Sequence, residues 1–177
     1  AFKKLFQRQA VEFSNKLESI ASVEIESLGR FFSGSEQVTG LEFHDFADFL
    51  LTDDSVSVWE WAPSVSIDRL DDFNAAAQRL LGTDFSVWQD APSGRKISPY
   101  GRPFVYPVLM ALPHKGNDRA FGFDLGSEPL RAAALEEAKR TGLVSITDPV
   151  TLVQETELQK AAIVVRPVRT RHDESAL

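Results

Sequence analysis

Apolar residues recur at helical spacing along the start of the chain. Phe6, Ala10, Phe13, Leu17 and Ile20 follow one another at steps of 4, 3, 4 and 3, which draws one stripe along an α-helix. A second stripe, Ala21, Ile25, Leu28 and Phe32, keeps steps of 4, 3 and 4 but is rotated from the first. Residues 2–33 contain no proline, and their single glycine is Gly29. The pattern predicts one helix about 45 Å long; the alternative is two shorter helices broken near Gly29. Long periodic helices without internal caps belong to helical assemblies, so one stripe can pack on the domain while the other meets a partner chain.

After Ser33-Gly34-Ser35 the punctuation is clear. Thr39 with Glu42 three residues on forms a capping box, and Phe43, Phe46, Ala47, Leu50 and Leu51 give the next helix its apolar face. Residues 56–61, rich in valine and tryptophan, read as a strand ended by Pro63. A helix over 67–81 follows, with Leu70, Phe73, Ala77, Leu80 and Leu81 inward and Gly82 as its stop. Residues 85–88 alternate as a short strand, and 90–102, with two prolines and two glycines, form a loop or loose hairpin. Residues 104–112 predict a strand with Phe104, Tyr106, Val108 and Met110 on one face, and Pro107 requires an edge or a bulge there. A turn over 113–118 leads to a returning strand over 120–125. Ser127 is then expected to cap a helix with Pro129 early in it, an inner face of Leu130, Ala133, Ala134, Leu135 and Ala138, and Gly142 as its stop. Residues 144–146 and 161–165 are further strands, and 152–158 is ambiguous. The fold class is therefore α+β: a long N-terminal helix, then a mostly antiparallel sheet flanked by helices.

Composition narrows the function classes. The 177 residues, 43% hydrophobic and 25% charged, match an ordinary globular domain. At this length folding buries roughly 70% of the unfolded chain's surface, enough for a core without staples. A net charge of −7 argues against a nucleic-acid partner, which needs clustered Lys and Arg. There is no cysteine, hence no disulfide, thiolate metal site or Cys nucleophile. No run reaches the ~18 apolar residues of a membrane helix. The chain opens Ala1-Phe2-Lys3-Lys4 rather than on Met and is expected to be a piece of a longer protein.

Catalytic patterns do not emerge. Neither GxGxxG, GxxxxGK[ST] nor GxSxG occurs, and His44, His114 and His172 have no metal-ligand spacing. Asp53-Asp54 and Asp71-Asp72 are adjacent pairs, which a helix points to different faces, so they read as capping or solvated residues. The expectation is that this chain is not itself an enzyme and uses no metal or cofactor. What remains is an aromatic-rich sheet: Trp59, Trp61, Trp88, Phe104, Tyr106, Phe121 and Phe123. These either fill the core or, for a few, line an apolar small-molecule cavity. Asp124 is the polar group nearest such a cavity, with ordering of the strand-to-helix turn as its competing role.

A family resemblance runs through these residues. Trp61-x-Pro63-x-Val65 with Arg69 and Phe73 resembles the W-x-P-x-V…R…F segment of CHASE domains. Tyr106-Pro107-Val108 is similar to their Y/F-P-V strand. Pro113, Asn117, then Gly122-Phe123-Asp124-Leu125-x-Ser127-x-Pro129-x-Arg131 resembles their central motif. Ala138-x-x-Thr141-Gly142, Ile146-Thr147-x-Pro149 with Leu152 and Gln154, and Arg166-Pro167-Val168 continue the likeness in the same order.

The resemblance implies an extracytoplasmic (periplasmic or extracellular) sensory module of a receptor held in the membrane, such as a histidine kinase or a diguanylate cyclase or phosphodiesterase. The parent would carry a cytoplasmic enzymatic output domain. The implied organisation is a signalling helix over 1–34 and a membrane-distal PAS-like lobe over 35–158. Residues 159–177 would open a membrane-proximal lobe that the chain need not complete. The implied partners are an unknown small-molecule ligand and a second copy meeting through the N-terminal helix. The rival expectation is a dimerisation or protein-interaction module that binds no ligand. By motif the distal pocket would involve Phe104, Tyr106, Val108, Met110, Phe121, Phe123, Asp124 and Thr147, with Trp88 from the neighbouring aromatic strand. Where plant members carry an adenine-binding Asp, this sequence reads Pro103-Phe104-Val105, which points away from cytokinins.

Overall fold

The computed structural model describes residues 2–51, 55–152 and 160–169, with side chains throughout except at residues 2–7, 9, 10 and 160. The expected lobe boundary at 158/159 lies outside the described residues. Helix α1 (Phe2–Ser19) runs into a five-residue π-helical turn, Ile20–Glu24, and then into α2 (Ile25–Gly34), with helical backbone at both junctions. The π turn absorbs one extra residue, which is the phase shift between the two apolar stripes. Downstream of it Leu28, Gly29 and Phe32 are buried; upstream, Val11 and Phe13 remain 58% and 67% exposed. No described helix is long and apolar enough to cross a membrane.

Helix α3 (Gly40–Leu50) starts with the expected capping box. Thr39 Oγ1 accepts from the Glu42 N–H at 3.2 Å, and the Glu42 carboxylate accepts from the Thr39 N–H at 2.9 Å. The stacked ring pairs Phe31–Phe46, 4.6 Å between centroids, and Phe32–Trp61, 3.8 Å, dock α2 on α3 and on strand β1 (Trp59–Trp61). β2 (Val65–Ser66) passes through one 3₁₀ turn into α4 (Leu70–Leu81), which stops at Gly82 in the left-handed region. Leu70 and Ala77 of α4 face the core as expected, whereas Leu80 is 44% exposed.

The sheet departs most from the sequence reading. Residues 89–90 (β3) pair with 96–97 (β4) as a hairpin, one step beyond the expected 85–88 strand. The 104–112 segment divides. β5 (Phe104–Val105) pairs with β2, and β6 (Met110–Leu112) pairs antiparallel with β1. Between them Pro107 bridges Asp124, the Val108 N–H donates to the Phe123 carbonyl at 3.1 Å, and the Leu109 N–H donates to the Trp61 carbonyl at 2.9 Å. The chain thus changes partner between Val108 and Leu109, so the expected single face does not persist. Met110 joins the large core, and Val108 joins the cluster on the other side. Residues 118–122 form turns, so the returning strand shrinks to bridges at Phe123 and Asp124. Gly122, at φ +76, lies so close to the Ser86 carbonyl that no Cβ fits there.

Helix α5 (Pro129–Thr141) follows a 3₁₀ turn over Leu125–Ser127. Its cap is Glu128, whose carboxylate accepts from the N–H groups of Leu130 and Arg131, not the expected Ser127. Proline at 129 favours extended backbone at the residue before it, and Glu128 sits at φ −107, ψ 130. The Ser127 hydroxyl instead donates to the Asp124 carbonyl. This register turns Arg131, Ala134 and Ala138 inward and leaves Leu130 and Ala133 exposed. β7 (Ser145–Ile146) pairs with β10 (Val164–Val165), and β8 (Val150–Thr151) with β9 (Lys160–Ala161), so the expected 161–165 strand serves two ribbons.

Two apolar clusters result. The larger joins Leu28, Phe32, Phe43, Leu50, Trp59, Leu112 and others between the helices and one side of the sheet. The smaller is built on Val108, Ala111 and Ala120 with Val58, Phe121 and Leu125 against it.

Candidate functional site

Strand alternation decides which side chains meet on the smaller side. In the β1–β6 ladder Glu60 lies opposite Ala111, while Trp59 and Trp61 lie opposite Leu112 and Met110. Directly opposed residues share a face, so the tryptophans enter the large core and Glu60 faces the small cluster. There it meets Arg131 of α5 across a cavity of ≈ 10 Å³, room for about one water molecule. Val108, Ala120, Phe123 and Leu125 form the apolar wall beside the sheet, and Leu152 and Ile163 form the wall from the C-terminal ribbons.

Arg131 is 4% exposed. Its Nη2 donates to the Thr151 carbonyl at 2.9 Å, and its guanidinium carbon lies 5.0 Å from the centroid of the Phe123 ring. Its Nε, also buried, has no hydrogen-bond partner. The position is costly in two ways. A cation in the first turn of a helix opposes the helix dipole, and burial disfavours its charge. Burial accordingly lowers its pKa, while Glu128, Glu60 and Asp90 favour the charged form. The partly buried Glu60 makes no side-chain hydrogen bond among the described residues. Burial pushes its carboxyl up from the ordinary 4.5 to about 7, against the pull of Arg131. A buried cation and a carboxyl that ionises only near pH 7 therefore face one small apolar cavity, each with unmet hydrogen-bonding capacity. Strongly shifted pKa values of this kind gather at functional sites.

Of the residues expected from sequence, Val108 and Phe123 line this cavity. Thr147 stands directly behind it: its N–H donates to the Ile163 carbonyl at 3.0 Å and its hydroxyl accepts from the Ile163 N–H at 2.9 Å. The others lie elsewhere. Asp124 is fully buried and its carboxylate is saturated by the Tyr106 N–H at 2.8 Å, the Gly126 N–H at 2.9 Å and the Arg102 guanidinium. Arg102 also donates to Gln89 at 2.7 Å, so Asp124 ties four parts of the chain together. Trp88 donates its indole N–H to the Phe121 carbonyl at 2.9 Å under the Lys96 ammonium, and Phe121 itself packs on His114. Tyr106 stacks beside Gly126, its buried hydroxyl without a partner. Met110 faces the large core, and Phe104 is 42% exposed beneath Lys139. Among the described residues no cluster of His, Asp or Glu is arranged to hold a metal ion.

Sequence reasoning missed Glu60 as a site residue. A charge inside Trp59-Glu60-Trp61 reads as the solvent side of an amphipathic strand, and only the helix above it makes that side interior. For Arg131 the signal was present, as the last residue of the central motif.

The family model for the CHASE domain matches residues 36–176. The chain belongs to the CHASE domain family. CHASE domains are extracytoplasmic sensory domains of receptors, so the chain has a sensory role. The matched segment begins just after α2 and takes in every residue of the cavity wall. A comparison with curated proteins gave no match.

Proposed function

We propose that this CHASE domain senses a small molecule in the Glu60–Arg131 cavity and passes the signal to its N-terminal helix. The parent would be a membrane receptor, a histidine kinase or a nucleotide-cyclizing or phosphodiesterase enzyme, with this chain itself non-catalytic. The observation that carries the reading is Arg131: a buried cation with an unmet N–H, in the wall of an apolar cavity that Glu60 also lines. Such a group is costly without a ligand and well used with one. A cavity with room for about one water by itself favours a packed interaction module, so the sensing reading requires a ligand that widens its site. A ligand that must widen its site binds the widened state preferentially, and only such differential affinity shifts an equilibrium.

Thermal denaturation of the 177-residue chain against a panel of small metabolites tests this. A ligand at about 100 times its Kd adds about 2.7 kcal/mol, which raises Tm by roughly 5–10 °C in a chain of this size. A hit that Ala120→Leu abolishes by filling the cavity supports the reading; a flat panel contradicts it. Exposed Val11, Phe13 and Val23 on the N-terminal helices favour a second reading, a module that pairs with another copy and binds no ligand. A concentration-dependent dimer with a flat metabolite panel would select it.

A further inference from the structure

We propose that the ligand is a small zwitterionic α-amino acid, its carboxylate held by Arg131 and its ammonium by Glu60; this rests on the sensing function proposed above. A guanidinium and a carboxyl line one cavity without an ion pair between them, a complementary pair once the carboxyl is ionised. The Nε of Arg131 is buried and free of any partner, while Nη2 is already fixed by the Thr151 carbonyl. That leaves the Nε–H of a pre-positioned guanidinium for an incoming carboxylate. Glu60 has no competing side-chain hydrogen bond.

The alternatives each leave a charge uncompensated. A monocarboxylate would satisfy Arg131 and set an anion against Glu60. An amine would satisfy Glu60 and set a cation against Arg131. In a low-dielectric cavity either mismatch is costly. A zwitterion answers both groups and enters with no net charge, and its side chain meets Val108, Ala120 and Leu125, which restrict it to something short and apolar.

Even the smallest amino acid needs several times the ≈ 10 Å³ available, so binding and widening are one event. Leu152 and Ile163 form the wall on the side away from the sheet. Ile163 is tied to Thr147 by two hydrogen bonds and stands three residues before Arg166, which pairs with Glu26 of α2. Moving that wall therefore acts on a contact with the N-terminal helix.

Calorimetric titration of the 177-residue chain with glycine, L-alanine and L-valine, against acetate, propionate and ethylamine, at about pH 8, where the Glu60 carboxyl is ionised, tests the assignment. At least one amino acid should bind at least tenfold more tightly than the acid and the amine of matching size. Glu60→Gln should weaken that amino acid at least tenfold and leave propionate no weaker. Arg131→Lys should weaken both; because Arg131 is buried and its variants can fail to fold, the Glu60→Gln comparison decides alone. Equal affinity for alanine and propionate, or alanine binding indifferent to Glu60→Gln, would overturn the proposal. A metabolite-panel ligand of another class, blocked by Ala120→Leu, would overturn the amino-acid assignment and leave the sensing reading standing. Silence in both panels would overturn both.

Discussion

Asp124 and Arg131 are both buried charges, and the fold treats them in opposite ways. Asp124 receives two backbone N–H groups and a guanidinium, so its charge is used up in holding the chain together. Arg131 keeps one N–H unused and shares its cavity with Glu60. Glu60 has a measurable consequence. In the fold it keeps its proton up to about 7, against an ordinary 4.5, so between these values the folded chain binds more protons than the unfolded one. The stability from the neutral carboxyl is complete below pH 4.5 and is lost as pH rises through 7. Urea denaturation between pH 5 and 8 should show the wild type losing up to about 3 kcal/mol relative to Glu60→Gln. Parallel pH profiles for the two proteins would contradict the assigned burial.

At the scale of elements, local signals were legible wherever the chemistry is local. The capping box of α3 is a four-residue event, and Thr39→Ala should lower stability by about 1 kcal/mol with an unchanged denaturant slope; no loss would mean that α3 is held by packing alone. The π turn was visible as two stripes out of phase, although not as a π turn. At α5 two local rules competed. Ser127 fitted the preferred cap type, but Pro129 dictates extended backbone at Glu128, and the proline rule prevailed. The returning strand over 120–125 was misread because period-two patterning does not tell a ladder from a turn with two bridges. Its partner strand breaks at Pro107–Val108, and pairing there is set by residues 61 and 123.

Across the whole molecule, the Glu26–Arg166 pair joins the C-terminal ribbon to the N-terminal helix. Arg166, then Arg30, hold the Glu26 carboxyl down from 4.5 to about 2. The stability from this pair is present above pH 4.5 and is lost as pH falls through 2. Gly29 leaves the room: a Cβ there would lie 3.0 Å from Arg166 Cδ. The glycine that looked in sequence like a possible helix break thus seats an arginine from 137 positions further on. Arg166→Gln should speed amide hydrogen exchange in Ile25–Gly34, with Glu26→Gln giving the same result and the double variant adding little. Unchanged exchange in α2 would remove this contact as the link between the C-terminal ribbon and the helix. If that link carries the signal, the same variant should also uncouple ligand binding from exchange in α2.

By itself the sequence determined the helical stripes, the capping box of α3, the glycine stops of α4 and α5, the α+β class and the family motifs, because each depends on residues within a few positions of one another. Only the tertiary structure decided that the 104–112 segment divides between two partners, that Asp124 is a tie, and that Glu60 and Arg131 share a cavity. Glu60 and Arg131 are 71 positions apart in the chain. The burial of a charge and the compensation it lacks are properties of the space around it, and that space exists only once α5 lies against the far side of β1 and β6.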